Sequence, residues 1–367
     1  MSIDQATSVV QKLRPRAAVE RMHEYHPPLA GRDGLRLDFN ENTFAPSPRV
    51  QGVLQRIASE TLTKYPEREH VERIAAKHFG FAPEAVLLTN GVDEAIHLVC
   101  ETYLEPQDEV VIVTPTFSMY RLYAEATGAR VREVQADRTL QFPYKKVLAA
   151  IQPSTRAIMV ASPNNPTGAV VEASVLLEIA AAAPQAALLV DEAYYHFHGD
   201  SVLSVTATVP NLLVARTFSK AYGLAGLRIG LLVGNPDAMQ FIRKVSSPYN
   251  VNSIALECLP EALADEAYIC WYADQVRQGR AAMEEALRRL NVPYWPSHAN
   301  FILMNIGSKH KEFVNAMREH GVLVRDRSSD PGCDGCVRIT MGTIEQTERG
   351  IAALENALKE MEWQPES

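Results

Sequence analysis

The chain has 367 residues, enough for two domains or one large domain with an appendage, and its 47% hydrophobic and 22% charged residues make an ordinary globular composition. Acidic residues outnumber basic ones 44 to 36 for a net charge of −8, and no block of Lys or Arg stands out. That balance argues against nucleic acid and anionic membrane as partners and leaves small molecules as the expected ones.

Residues 1–16 lack the apolar core and small-residue cleavage site of a secretory signal, and the longest apolar region, 175–190, is broken by Glu178, Pro184 and Gln185. A cytoplasmic protein without a membrane span is expected. Five scattered cysteines are too few for a disulfide framework, although Cys333 and Cys336 have the spacing of a redox or metal pair.

Residues 1–36 are polar and proline-rich and read as an extended N-terminal arm, because Pro27 and Pro28 cannot continue a helix. Asn40-Glu41-Asn42-Thr43 follows in loop chemistry. Val50, Val53, Leu54 and Ile57 then recur at helical spacing, and Val71, Ile74, Ala75 and Phe79 predict a second helix ending at Gly80. From residue 86 onward, short apolar runs alternate with helical patterns: 86–89, 110–114, 157–161, 187–190, 212–215 and 231–234. Runs of that length without polar alternation predict strands covered on both faces, hence a mostly parallel α/β sheet. After a mixed region at 248–260, a long helical stretch at about 265–290 leads into apolar runs at 301–305, 322–325 and 337–340, a smaller α+β unit.

Ligands bind at the carboxyl ends of the strands in such sheets, so the residues after each run carry the functional argument. Asn90-Gly91-Val92-Asp93-Glu94 opens a helix whose free amides suit a phosphate, or simply caps it. Thr116-Phe117 puts an aromatic ring at a strand end, for stacking on a ligand ring or for packing. Asn164-Asn165-Pro166-Thr167-Gly168 presents an amide. Asp191, ending an apolar run, needs a cation or donor to offset desolvation, for which a pyridinium nitrogen or the next turn would serve. Thr217, Ser219, Lys220 and Arg228 lie in one turn, as a surface lysine in a loop or as an amine that holds an aldehyde cofactor while hydroxyls and arginine grip its phosphate.

Asn-Pro-Thr-Gly, Asp-Glu-Ala-Tyr and Ser-Lys-Ala-x-Gly-Leu-Ala-Gly-Leu-Arg-x-Gly, in this order, resemble the pyridoxal 5′-phosphate-dependent aminotransferases of fold type I. Within them the sequence is similar to the histidinol-phosphate aminotransferase family from about Tyr25 to Thr343. The resemblance implies an α/β three-layer sandwich with a mostly parallel sheet, a large cofactor domain at 37–260, a small α+β C-terminal domain at 261–367, and a homodimer. It implies that Lys220 binds the cofactor aldehyde and shuttles the proton, that Asp191 pairs with the pyridinium nitrogen, and that Asn165 and Tyr194 bond the phenolic oxygen. Phe117 would stack on the ring. Val92, Asp93, Thr217, Ser219 and Arg228 would hold the phosphate, and Tyr65 would reach it from the partner subunit. Arg338 would take a substrate carboxylate bidentately, with Tyr25 and Arg325 near a substrate phosphate.

The family pattern departs here at Thr43, usually proline, and at Val92, usually Ser or Ala. The resulting expectation is transamination between histidinol phosphate and 2-oxoglutarate, in histidine biosynthesis. The alternatives are an aromatic amino acid transaminase, a phosphothreonine decarboxylase using the same cofactor, and a non-catalytic member of the fold. At Arg325 a second possibility is a strand-end charge paired with its neighbour Asp326.

Overall fold

The protein is described as a computed structural model for residues 13–24, 26, 31 and 33–365. Its six expected apolar runs and one further strand form a seven-stranded sheet. After β1 (Leu35–Arg36) come β2 (Val86–Thr89), β3 (Glu109–Thr114), β4 (Arg130–Gln135), β5 (Thr155–Ala161), β6 (Ala187–Asp191), β7 (Leu212–Thr217) and β8 (Gly230–Gly234). The order across the sheet is β2-β8-β7-β6-β5-β3-β4, and only β8 runs antiparallel to its neighbours.

Strand side chains alternate between the faces, and both faces are buried. Leu188 and Val190 join the core on one side with Leu212 and Val214, whereas Leu189, Leu213 and Leu232 join the other. Helices Gly91–Tyr103, Met119–Thr127 and Pro236–Val245 cover the second face, and Arg68–Phe79, Ala173–Ala182 and Ser253–Leu263 cover the first. The architecture is therefore the expected α/β three-layer sandwich. The edge strand β4 was not legible as an apolar run because its sequence, Arg-Val-Arg-Glu-Val-Gln, leaves most of its residues exposed or half-exposed. The mixed region at 248–260 leads into a helix, Ser253–Leu263, capped by Asn252 and carrying Pro260 inside it.

The C-terminal unit holds helix Glu266–Arg289, β9 (Tyr294–Trp295), β10 (Phe301–Asn305), β11 (Val322–Leu323), β12 (Arg325–Asp326) and β13 (Cys336–Thr340), with helices His310–Glu319 and Ile344–Glu360 against them. Its four-stranded antiparallel sheet runs β12-β13-β10-β9. The end of the arm is structured: β1 pairs in parallel with β11, and Leu37 bonds through its backbone to Leu323 and Thr340. Residues 35–37 thus lie on the C-terminal unit, ahead of the elements of the large sheet.

The reversed β8 serves the large sheet's carboxyl edge. A parallel neighbour would start at the opposite edge, but Gly230 pairs with both Thr89 and Thr217, so the segment leading into β8 arrives where the other strands end. The approach is close: a Cβ on Gly230 would lie 2.7 Å from the carbonyl carbon of Gly91 and 3.0 Å from the amide of Val92. Neither backbone group can retreat without moving the helix start. Gly230→Ala is expected to cost about 1–3 kcal/mol, read as a lower midpoint in urea unfolding; an unchanged midpoint would contradict this packing.

Candidate active site

The carboxyl ends of β3, β5, β6 and β7 and the lead-in to β8 meet residues of the C-terminal unit around a cavity of about 420 Å3. Lys220 is partly buried in its wall, and its ammonium donates to the carbonyl of Phe39 at 3.1 Å. Burial, and then the positive charge of Arg338, lower its pKa to about 8. A larger fraction of this amine is neutral, and hence nucleophilic, near neutral pH than of an exposed lysine.

Asp191 closes β6 with its carboxylate buried. One oxygen accepts from the Ala193 amide at 2.9 Å, so it does serve the following turn; the other accepts the hydroxyl of Tyr120 at 2.8 Å. These donors favour the charged form, yet burial outweighs them and pushes its pKa up to about 6. A buried carboxylate whose hydrogen-bond partners are a phenol and an amide is suited to a cationic N–H.

Tyr194 presents its hydroxyl beside the same cavity, where it accepts from the side-chain amide of Asn40 at 2.9 Å. That leaves the phenolic hydrogen for another acceptor. Asn165 is also at the cavity, but its carbonyl oxygen accepts from Arg338 Nη1, so its NH2 is the end left to donate. Phe117 lines the wall and meets Tyr120 edge-on at 5.8 Å.

The remaining expected cofactor residues gather at the start of helix Gly91–Tyr103. Asn90 makes no side-chain cap, so the first-turn amides of Val92 and Asp93 sit uncapped at the cavity. Thr217 and Ser219 face it from the end of β7, with the Ser219 amide donating to Thr217 Oγ1 at 3.1 Å. Arg228 Nη2 lies 3.2 Å from Asp93 Oδ2. Gly91 makes room for that guanidinium, because a Cβ there would lie 2.8 Å from Nη2. Helix-start amides, two hydroxyls and an arginine are donors that could hold a phosphate, next to an amine and a buried carboxylate. These groups fit a phosphorylated aromatic aldehyde with a ring N–H.

At the C-terminal unit, Arg338 is buried on β13. It donates Nη2 to the Asp38 carbonyl at 2.7 Å, and its Nε is buried without a partner. Burial and the neighbouring Arg327 lower its pKa to about 9. Arg325 pairs with Arg338 in the β12–β13 register and lies 5.2 Å over the Phe39 ring. The expected alternative for Arg325, an ion pair with Asp326, is not formed: Asp326 accepts from Ser328 at 2.9 Å and pairs with His310 at 3.0 Å. Alternation along a strand sends the neighbouring side chains to opposite faces.

One expected residue lies elsewhere. Tyr65 is 78% exposed and stacks on Tyr249 with ring centroids 4.4 Å apart, away from this chain's own cavity. Tyr25 lies outside the described residues. Cys333 and Cys336 are buried with Leu140, Leu303 and Trp295 as free thiols, and the Cys336 thiol is pushed far up by Cys333 beside it and by burial. Among the described residues no His/Cys/Asp/Glu group could hold a metal, and no helix is long and apolar enough to cross a membrane.

Sequence reasoning missed Tyr120, Asn40 and Arg327. Tyr120 sits in a helix with nothing local to mark it, and its bond to Asp191 spans 71 residues. For Arg327 a signal existed, since Arg-Asp-Arg in an extended segment puts residues 325 and 327 on one face.

Burying Lys220 has a measurable cost in the cofactor-free protein. Its pKa falls from 10.5 in the unfolded chain to about 8, so below pH 8 the folded state carries a charge it disfavours, at a cost of up to about 3 kcal/mol. Between pH 8 and 10.5 the folded state has released the proton that the unfolded chain still binds, and stability rises with pH. Cofactor-free Lys220→Met is expected to resist urea better than the parent at pH 7, with the gap closing by pH 10.5; a gap independent of pH would refute the buried charge as its cause.

The sequence matches the family described as aminotransferase class I and II over residues 32–354. The histidinol-phosphate aminotransferase of Moorella thermoacetica is 33% identical over 97% of this chain and 94% of that protein. That of Symbiobacterium thermophilum is 36% identical over 94% of this chain and 99% of that protein. The solved structure of histidinol-phosphate aminotransferase from Sinorhizobium meliloti in complex with pyridoxal-5′-phosphate shares the fold, with a TM-score of 0.86 at 24% identity over 96% of this chain and all of that one. The chain belongs to the class I and II aminotransferases and, among them, to the histidinol-phosphate aminotransferase family.

Proposed function

We propose that the chain is a pyridoxal 5′-phosphate-dependent transaminase acting on histidinol phosphate and 2-oxoglutarate, giving imidazole acetol phosphate and glutamate in histidine biosynthesis, as a cytoplasmic homodimer. The observation that carries this reading is the single cavity with a depressed lysine and a buried aspartate at one end and Arg325 and Arg338 at the other. The names of the relatives support the substrate.

Bound pyridoxal phosphate supplies an electron sink for the bonds at the amino carbon of the donor. Asp191, steadied by Tyr120, holds the ring N–H and keeps it protonated. Asn165 and Tyr194 donate to the phenolic oxygen, and Phe117 packs on the ring. Val92, Asp93, Thr217, Ser219 and Arg228 hold the phosphate. Lys220 Nζ would hold the cofactor at its aldehyde carbon and would carry the proton to and from the donor's α carbon. Arg325 and Arg338 take the anionic end, phosphate in one half-reaction and carboxylate in the other. Tyr25 is assigned near the substrate phosphate. In domain terms the reading keeps an arm at 1–36, a cofactor domain at 37–260 and a small domain at 261–367.

Single-turnover absorbance changes of the bound cofactor test the substrate. Histidinol phosphate is expected to react roughly tenfold or more faster than phenylalanine, with Arg325→Gln narrowing the ratio. A faster reaction with phenylalanine would assign the chain to aromatic transamination instead.

The outward position of Tyr65 supports its use by the partner's site. Hybrids of a Tyr65→Ala subunit and a Lys220→Met subunit distinguish the two arrangements. If Tyr65 acts across the dimer, one site in each hybrid is intact and activity returns to roughly half that of the parent dimer, because one site of two is restored. If it acts within its own chain, no activity returns.

A further inference from the structure

Arg327 was assigned no role above, although it lines the same cavity as Arg325 and Arg338. Its amide donates to the Cys336 carbonyl at 2.9 Å, carrying the β12–β13 pairing one residue past β12. Strand alternation then puts Arg325 and Arg327 on the cavity face and Asp326, turned to His310, on the other. A tight turn follows, in which the Asp330 amide donates to the Arg327 carbonyl at 2.9 Å and brings the Asp330 carboxylate back onto Arg327 Nη2. Burial pushes the Asp330 carboxyl up, and the Arg327, Arg338 and Arg325 guanidiniums oppose that shift. Both Arg327 and Arg338 have a buried Nε without a partner.

Arg325, Arg327 and Arg338 bring three guanidiniums to this end of the cavity, and the Asp330 carboxylate offsets one of them. A carboxylate brings one negative charge, whereas a phosphate monoester above its second ionisation, near pH 6, brings about two. We propose that Arg327, with Asp330 as its resident counter-charge, is a specificity residue that makes this subsite prefer a dianionic phosphate monoester to a monoanion of the same shape. The inference rests on the substrate reading only for its physiological ligand. Asp330 keeps the guanidinium from carrying a bare buried charge when no substrate is bound, and the ester then shares Arg327 with it.

The test uses the cofactor-loaded enzyme, with ethyl phosphate and ethyl sulfate as competitive inhibitors against whichever amino donor reacts. The two are alike in shape and differ in charge. The parent enzyme is expected to bind ethyl phosphate roughly tenfold or more tighter than ethyl sulfate, with Arg327→Gln removing most of that preference and Asp330→Asn tightening ethyl phosphate. The KM for histidinol phosphate should rise in Arg327→Gln while kcat with a donor lacking an acidic side chain stays within about twofold. Equal inhibition by both esters in the parent, or an Arg327→Gln enzyme that loses both inhibitors and all donors alike, overturns the inference. Failure of the parent to use histidinol phosphate would sink the substrate reading, while the ester comparison would still decide the role of Arg327.

Discussion

Two buried groups of opposite charge, Lys220 and Asp191, each pay for their place in the same cavity. Burial pushes the amine down to about 8 and the carboxyl up to about 6, and no direct bond between them relieves it. Such a site is poised for a ligand that gives Asp191 a cation and Lys220 a carbon to bond. The sheet exists around that requirement. Parallel strands that end at one edge bring Asp191, opposite Ala215, and Thr217 to the same rim, and the reversal of β8 brings Arg228 to it as well.

Asn40 ties this edge to the C-terminal unit. Its backbone is left-handed, at φ 55°, a conformation asparagine tolerates better than most residues. Its side chain donates to Tyr194, its amide donates to Thr340 Oγ1 at 3.1 Å, and its carbonyl accepts from Asn300 at 3.2 Å. One residue thereby sets the direction of the Tyr194 hydroxyl and fixes β10 and β13 against the large sheet. A displacement between the two units would be felt first as a turn of that hydroxyl.

The sequence disclosed what depends on neighbours along the chain. Apolar runs disclosed β2, β3, β5, β6, β7 and β8, and the residues at and after their ends marked Asp93, Asn165, Asp191 and Lys220 as candidates, which the fold brings to one cavity. It did not disclose contacts closed by folding. Tyr120 reads as an ordinary helix residue until β6 brings Asp191 to it, and Asn40 reads as loop until Tyr194 and Thr340 meet it. β4 stayed hidden because an edge strand buries too little to leave an apolar run. Resemblance to a known family, rather than periodicity, supplied the roles of Tyr65 and Arg338.

Arg338 shows how the fold limits what the cavity can bind. A guanidinium has five N–H donors. One here goes to Asn165 and one to the Asp38 carbonyl, so three remain, the unpartnered Nε among them. An anion has only those donors of Arg338 to bond. Those two bonds also orient the guanidinium plane before any ligand arrives, which lowers the entropy lost on binding. Lysine could replace the charge but not the fixed plane. The bond to Asn165 further turns that residue's NH2 away from Arg338, so the group proposed to anchor the anion also aims a donor into the cavity.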